Sequence, residues 1–122
     1  FDLDYTIWDG TKLLPDVQEI LQTLARNNVK MYIASLHKNA KSCCKELNIS
    51  HYFEDILSEE KRNKLPMIRY IIKKNPQVKP NEIVFFDDDS RNIRDAILNT
   101  QIIPVHTKFG INWNNAVVEL SA

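Results

Sequence analysis

The sequence has 122 residues, enough for one domain with a single core and too few for a second folding unit. Its 16 basic and 16 acidic residues cancel, so the overall charge indicates neither a nucleic-acid partner nor binding to an acidic membrane surface. No apolar run approaches the length of a membrane span. The composition therefore predicts a single domain over residues 1–122 with no nucleic-acid or membrane partner.

The chain opens with FDLDYTIW (residues 1–8), in which Phe1 and Leu3 alternate with Asp2 and Asp4. Because side chains two residues apart in a strand point to the same side, the two carboxylates should lie together at the end of a buried strand. Acids this close repel each other unless a cation lies between them or one stays protonated. A central strand normally carries more apolar residues ahead of its acidic end, so we expect further residues before Phe1.

The rest of the chain alternates strand-like apolar runs with amphipathic segments at helical spacing. Residues 9–12 (DGTK) are typical of a hairpin tip or a small flap. Residues 52–57 fit either a short strand or an irregular connection, and residues 113–120 fit a turn or a short helix. In chain order the patterns predict a helix over 15–26, a strand over 29–34, helices over 40–47 and 59–74, a strand over 82–86, a helix over 90–98 and a strand over 101–105.

Strands that alternate with helices predict right-handed crossovers and a mostly parallel sheet. The predicted fold class is α/β, a Rossmann-like three-layer sandwich. Polar side chains follow three of the predicted strands, at Asp2 and Asp4, at Ser35, and at Asp87 and Asp88. Since ligands of open α/β sheets bind at the carboxyl ends of the strands, these groups should meet at one place.

These residue types suit a phosphoester hydrolase that uses a carboxylate as its nucleophile. Asp2 would attack phosphorus to form an aspartyl-phosphate, and Asp4 would protonate the leaving group and then deprotonate the attacking water. Asp87, with Asp88, would hold Mg²⁺ together with an oxygen of Asp2 and a backbone carbonyl near Asp4, because hard oxygen ligands suit this ion. Ser35 would hydrogen-bond a phosphoryl oxygen through its hydroxyl and an N–H at a helix start.

A lysine is also required, because an anionic nucleophile must approach an anionic phosphate. Lys61 and Lys64 both lie at the start of the third predicted helix. The residues alone do not choose between them.

The motifs together resemble a known family. Asp2-x-Asp4-x-Thr6, an apolar strand ending in Ser35, a downstream Lys64 and the FFDD of residues 85–88 are similar to the four motifs of the haloacid dehalogenase superfamily of phosphohydrolases. More narrowly, FDLDYTIW and FFDDDSRNIRDA resemble the eukaryotic magnesium-dependent phosphatase-1 family. The similarity spans residues 1 to about 106.

The resemblance implies roles for individual residues. Asp2, Asp4 and Lys64 would be catalytic, with Lys64 favoured over Lys61 by its distance along the chain from Asp87. Asn92 would support the metal site by contacting a metal ligand and not the metal itself. Ser35 would be the phosphate-binding hydroxyl, and Thr6 would brace the motif. The expected substrate-binding residues are Thr6, Ser35, Leu36 and Trp8, with a core or flap-base position as the alternative for Trp8. The expected Mg²⁺ site comprises Asp2, Asp4, Asp87 and Asp88.

The same resemblance bears on the substrate. Members of that family insert a substantial flap between the first motif and the first helix, whereas only residues 9–14 intervene here. We therefore expect a minimal cap or none, and a more open site. Such capless members act on large or exposed substrates such as phosphoproteins, or borrow a lid from a neighbouring subunit in a homo-oligomer. The expected substrates are therefore phosphotyrosine-containing proteins or small phosphomonoesters such as sugar phosphates.

Other interpretations remain open for these residues and for the function. Asp2 and Asp4 would also fit a solvated strand end, and the acids of residues 87–89 would also fit the N-terminus of a helix. Ser35 would also fit an ordinary helix cap, and Lys64 would also fit the protein surface. A phosphotransferase or a nucleic-acid-end phosphatase would use the same fold. A non-catalytic phosphoprotein-binding module is the alternative of a different class, but such a module has no use for a proton donor at Asp4.

The two cysteines, Cys43 and Cys44, are adjacent in the second predicted helix. Disulfide geometry disfavours a bridge between neighbours in the chain. We therefore expect reduced thiols and a cytoplasmic protein.

Overall fold

The structure is a computed structural model that describes residues 1–58 and 63–120. Short 3₁₀ turns occupy Ser50–Tyr52 and Pro80–Glu82. In the described part of the chain, no helix is both long enough and apolar enough to cross a membrane. The helices are α1 (Val17–Arg26), α2 (Ala40–Glu46), α3 (Leu65–Lys74), α4 (Ser90–Asn99) and α5 (Trp113–Leu120), and the strands are β1 (Tyr32–Ser35), β2 (Asp55–Ser58), β3 (Val84–Asp87) and β4 (Ile103–His106).

The strands form two parallel pairs, β1 with β2 and β3 with β4. Residues 1–3, which we call the opening segment, lie between the pairs and join them. The Phe1 nitrogen donates to the Tyr32 carbonyl and the Phe1 carbonyl accepts from Ala34, the pattern of a parallel pair, while the Asp2 N–H donates to the Phe86 carbonyl. The hydrogen-bonded order is therefore β2, β1, opening segment, β3, β4.

Helices cover both faces of this layer, which gives the predicted three-layer arrangement. Neighbouring residues of β3 show it, because side chains alternate along a strand. Phe86 packs into the larger apolar cluster, which contains the buried faces of α1 and α2, whereas Phe85 packs with Ile68 of α3 and Ala96 of α4. The α/β fold class predicted from the sequence is confirmed.

The predicted helices are present, and α2 and α4 begin at the predicted residues, Ala40 and Ser90, whereas α1 begins at Val17 and not at residue 15. The predicted end of α1 at Arg26 is confirmed, and Asn28 behind it has a positive φ of 59°, which turns the chain out of the helix. The helix predicted over 59–74 is seen from Leu65, with Pro66 in its first turn, where proline's missing N–H costs nothing. Residues 59–62, including Lys61, lie outside the described part of the chain.

Three predicted strands begin too early. The strand predicted from residue 29 begins at Tyr32, because its regular pairing with β2 covers only the four positions from Tyr32 to Ser35. The strand predicted from residue 82 begins at Val84, since Glu82 belongs to a 3₁₀ turn, and β4 begins at Ile103 rather than at residue 101. The short strand β2 begins within residues 52–57, at Asp55, and ends at Ser58, while residues 113–120 form α5.

Candidate active site

Three carboxylates meet at the carboxyl ends of the opening segment and β3. Each of Asp2, Asp87 and Asp88 offers an oxygen that lies within 4.8 Å of the others. Asp2 and Asp87 are buried and Asp88 is partly exposed. The predicted meeting of the first and fourth sequence motifs is therefore present in the fold.

Lys64 brings a positive charge into this group. Its Nζ lies 2.6 Å from Oδ1 of Asp2 and 2.8 Å from Oδ2 of Asp87, and only 3% of its surface is exposed. Lys64 is the residue immediately before α3, so the start of that helix places its side chain over the ends of the strands. The interpretation of Lys64 as a surface lysine is wrong.

Asp87 is held by donors on both of its oxygens. Oδ1 accepts the N–H of Asp89 at 2.8 Å, and Oδ2 accepts the side-chain amide of Asn92 at 3.1 Å in addition to Lys64. Asp89 is the N-cap of α4, because its carboxylate accepts the N–H of Arg91 at 2.8 Å. The cap fixes the first turn of α4 and with it the position from which Asn92 reaches Asp87.

The site has more negative than positive charge. Burial raises the pKa of Asp2 to about 6, and the nearby Lys64 opposes this only in part. Burial also raises the pKa of Asp87, again against the effect of Lys64. Three carboxylates with one ammonium leave an uncompensated anionic cluster of hard oxygen atoms, and these residues fit a Mg²⁺ ion.

The side chain of Asp4 does not join the three-carboxylate group. Oδ1 of Asp4 accepts the indole N–H of Trp8 at 2.8 Å. The backbone turns sharply between them, since Tyr5 has a φ of 59° and its N–H donates to the Trp8 carbonyl. The prediction of Asp4 as a metal ligand therefore has no support from its carboxylate, and only the backbone carbonyl near it remains as a predicted ligand.

The predicted hairpin tip at residues 9–12 is confirmed. Trp8 pairs with Leu13 in antiparallel fashion, and the Asp9 N–H donates to the Lys12 carbonyl at 3.1 Å. This short hairpin is the segment that connects the first acidic motif to α1.

Thr6 contacts both the nucleophile candidate and a residue that sequence reasoning missed. Its hydroxyl lies 3.4 Å from Oδ2 of Asp2 and 3.2 Å from the hydroxyl of Thr107, and both threonines are fully enclosed. The Thr107 N–H donates to the Asp87 carbonyl at 2.8 Å, so this residue links the two acidic motifs. The only available signal was its place directly after a core strand.

His106 is the last residue of β4 and contacts the loop that follows β3. Its Nε2 donates to the Asp88 carbonyl oxygen at 2.8 Å. The contact fixes the backbone of the loop that carries the third acid.

Ser35 ends β1, the strand next to the opening segment, and Leu36 follows it. Ser35 is buried, and its hydroxyl accepts the N–H of His37 at 3.0 Å, while Leu36 is partly exposed. The expected helix start at Ser35 is wrong, since α2 begins five residues later at Ala40. The hydroxyl forms a local turn instead of a helix cap.

An apolar cavity of about 380 Å³ lies at the other end of the strands. Its walls include Met31 and Tyr32 ahead of or at the start of β1, and Ile83 and Val84 at the start of β3. Because the carboxylates lie at the carboxyl ends of the same strands, this cavity is not part of the acidic site.

A comparison with protein families decides the assignment. A family model described as Acid Phosphatase matches residues 9–122. The chain belongs to the acid phosphatase family. This acid phosphatase family match begins just after the opening acidic motif, so the placement of Asp2 and Asp4 depends on the structure and not on the match.

Several solved structures are similar to this acid phosphatase family member. A haloacid dehalogenase-like hydrolase from Streptococcus pneumoniae is 24% identical with a TM-score of 0.68, covering 81% of this chain and 49% of that one. A haloacid dehalogenase superfamily hydrolase from Ehrlichia chaffeensis is 28% identical with a TM-score of 0.62, covering 77% and 48%. A β-phosphoglucomutase from Clostridium difficile is 27% identical with a TM-score of 0.65, covering 84% and 46%.

These matches confirm the resemblance to the haloacid dehalogenase superfamily. The chain spans about half the length of the solved structures it matches. No curated protein sequence matches it significantly. The narrower resemblance to the magnesium-dependent phosphatase-1 family stays a prediction.

Proposed function

We propose that this acid phosphatase family member hydrolyses phosphomonoesters with Mg²⁺ and forms an aspartyl-phosphate on Asp2. The observation that carries the proposal is the buried ammonium of Lys64, which contacts Asp2 and Asp87 together at the carboxyl ends of the strands. A carboxylate that must attack a phosphate anion needs such a fixed positive charge beside it.

In the first step, Asp2 attacks phosphorus and the bond to the leaving oxygen breaks. Lys64 holds Oδ1 of Asp2 at 2.6 Å, which leaves Oδ2, 3.4 Å from the Thr6 hydroxyl, as the attacking atom. Bound by Asp2, Asp87 and Asp88, Mg²⁺ would neutralise charge on the carboxylates and on the phosphoryl oxygens. Asp4 donates a proton to the leaving oxygen.

In the second step, water attacks the phosphorus of the aspartyl-phosphate and releases inorganic phosphate and the free Asp2 carboxylate. Asp4, now ionised, accepts a proton from that water and returns to its starting state. Ser35, at the end of the neighbouring strand, binds a phosphoryl oxygen through its hydroxyl.

The proposed substrates are phosphorylated proteins, phosphotyrosine in particular, or small phosphomonoesters such as sugar phosphates. The support is the short connection between the first motif and α1, where residues 9–12 form only a hairpin tip. A connection of this length covers little of the acidic site, so bulky esters have access to it.

The test is turnover of 4-nitrophenyl phosphate in the presence of Mg²⁺. We expect Asp2→Asn to reduce turnover to the background rate, because a carboxamide does not attack phosphorus, and EDTA to do the same. Asp9→Asn, the same change at an exposed acid on the hairpin tip, is the matched control and should keep full activity. Persisting activity of Asp2→Asn, or activity in EDTA, would overturn the proposal.

Binding of a phosphoryl mimic separates an enzyme from a non-catalytic phosphoprotein-binding module. Beryllofluoride forms a stable adduct with a nucleophilic aspartate, so it should raise the unfolding temperature of the wild-type protein only when Mg²⁺ is present. Asp2→Asn should lose this effect. A module that merely binds phosphate would respond to inorganic phosphate and not to beryllofluoride.

A phosphotransferase is a second candidate, favoured by the 27% identity to a β-phosphoglucomutase. Both reactions share the aspartyl-phosphate and differ in the acceptor. Adding an alcohol such as glycerol or glucose to the assay distinguishes them, because a transferase yields a phosphorylated acceptor and correspondingly less inorganic phosphate.

A further inference from the structure

The Trp8 side chain is fixed by its contact with Asp4 and by its backbone. The indole N–H donates to Oδ1 of Asp4 at 2.8 Å, four residues back in the chain. Three further contacts hold the Trp8 backbone from which the indole projects: the Trp8 carbonyl accepts the N–H of Tyr5, the Trp8 N–H points to the Leu3 carbonyl, and Trp8 pairs with Leu13 across the hairpin. The indole therefore projects towards Asp4 from a backbone that is itself held by hydrogen bonds.

The ring of His37 contacts the same indole from the loop after β1. The two ring centres lie 6.3 Å apart with the planes inclined at 65°, an edge-to-face arrangement. The backbone of His37 is in turn tied to Ser35, whose hydroxyl accepts the His37 N–H. The indole thus lies between Asp4 of the first motif and the loop that follows Ser35.

We propose that Trp8 is a positioning residue that holds one oxygen of Asp4 so that the other carries and delivers the proton. This inference rests on the proposed function and extends it. A carboxylate rotates easily and offers two equivalent oxygens, so a proton donor without a fixed partner spends time in unproductive orientations. The indole N–H, which is only a donor, contacts Oδ1 and leaves Oδ2 for the reacting oxygen.

The contact also changes the interpretation of Trp8 as a substrate-binding residue. The only polar atom of the indole is its N–H, and Asp4 already uses it. The indole therefore has no hydrogen-bond donor left for the substrate, and in this proposal Trp8 acts through Asp4.

The first experiment compares Trp8→Phe with the wild type on esters with different leaving groups. Nitrophenolate leaves without much help from an acid, whereas an alkyl oxygen must be protonated as it leaves. We expect kcat/KM to fall by about tenfold more for an alkyl phosphate than for 4-nitrophenyl phosphate. Since kcat/KM reports the steps up to phosphoenzyme formation, it isolates the role of Asp4 as an acid.

Trp113→Phe is the matched control, because it removes the only other indole in the chain at a position that packs against the core. It should leave the ratio between the two substrates unchanged. A benzothiophene in place of the Trp8 indole keeps the ring size and removes only the N–H, so it serves if Trp8→Phe folds poorly. Equal losses on both substrates in the Trp8 variants would overturn the proposal while leaving the proposed function intact.

A spectroscopic measurement tests the contact without catalysis. The chain has two tryptophans, so an amide-correlation spectrum shows two indole N–H resonances, assigned by the two phenylalanine variants. Asp4→Ala should move the Trp8 resonance upfield and speed its exchange with solvent, and should leave that of Trp113 in place. An unmoved Trp8 resonance would overturn the inference, and absence of Asp2-dependent turnover in the wild type would overturn the proposed function instead.

Discussion

Lys64 is an unusual residue on physical grounds, because a lysine is rarely buried unless it is paired. Its ammonium has two carboxylate partners, Asp2 at 2.6 Å and Asp87 at 2.8 Å, and it also lies 5.8 Å from the ring centre of Phe85. Removing one partner of such a buried group leaves the others without compensation, which costs more than the pair contributes. The residue therefore affects both stability and chemistry.

Replacing this lysine tests both effects at once. We expect Lys64→Met to lower the free energy of unfolding by about 3 kcal/mol in the absence of metal, because two buried carboxylates lose their counter-charge. We also expect turnover of 4-nitrophenyl phosphate to fall to near the background. Chemical denaturation and steady-state kinetics measure the two quantities.

Lys73→Met is the control, since Lys73 is an exposed lysine of the same helix. It should change neither stability nor turnover appreciably. In a background of Asp2→Asn, the cost of Lys64→Met should shrink, because one of the two orphaned charges is then absent. An equal cost in both backgrounds would show that Lys64 acts by packing and not by charge.

Much of the candidate site was predictable residue by residue, because Asp2, Ser35 and Asp87 end or directly follow apolar runs. Thr107 was not, since it lies in a stretch without a motif and its partner Thr6 is 101 residues away. The contact of Trp8 with Asp4 depends on a turn through a positive φ at Tyr5, which no spacing rule predicts for that residue.

At the scale of elements, the loop after β4 supports the opening acidic motif. Gly110 lies in this loop with a φ of 89°, and its backbone passes so close to the loop over residues 5–14 that an added Cβ would overlap the side chain of Leu14. The same Cβ would lie 3.4 Å from the carbonyl oxygens of Tyr5 and Thr6. The N–H of Ile111 donates to that Thr6 carbonyl at 3.0 Å, so the loop and the motif are directly joined.

Gly110→Ala therefore has two costs, strain at the positive φ and overlap with Leu14. The overlapped atom is Cδ1, at the end of the Leu14 side chain, and a shift of that side chain relieves part of the overlap. We expect Gly110→Ala to lower the free energy of unfolding by about 1 kcal/mol more than Gly10→Ala does. Gly10 has a similar φ of 98° and nothing within 4 Å of an added Cβ, so it reports the strain alone. Thermal and chemical denaturation of both variants give the difference, and equal destabilisation would contradict a close approach of the two loops.

The ends of the strands were harder to predict than their existence. The mostly apolar run from residue 29 begins before the residues that pair with β2, which are Tyr32 to Ser35. The length of a strand is set by the residues that pair with the neighbouring strand. β1 begins its regular pairing where Tyr32 meets Asp55, the first residue of β2. A single sequence carries no direct information on which residues face each other across a sheet, so the boundary follows from tertiary pairing.

At the scale of the whole molecule, the balanced net charge conceals a local imbalance. Sixteen basic residues offset sixteen acidic ones over the chain, yet the site contains three carboxylates and one ammonium. The imbalance arises because the strand order places the opening segment beside β3, although Asp2 and Phe86, which hydrogen-bond to each other, are 84 positions apart in the sequence. Alternation of strands and helices predicted the fold class, whereas this adjacency followed only from assembly of the sheet.

The same imbalance predicts that Mg²⁺ affinity depends on pH. Burial raises the pKa of Asp2 to about 6 and raises that of Asp87 as well. Below pH 6, protons therefore compete with Mg²⁺ for the carboxylate oxygens. Because a carboxylate ionises as pH rises, affinity should increase by about tenfold from pH 5 to pH 7. Mg²⁺ titrations followed by the unfolding midpoint measure this affinity, and calorimetry should record proton release on Mg²⁺ binding near pH 5.5 and little at pH 7.5.

In Asp2→Asn the pH dependence of Mg²⁺ affinity should be shallower. Equal affinity at both pH values would mean that the ion binds away from these buried acids.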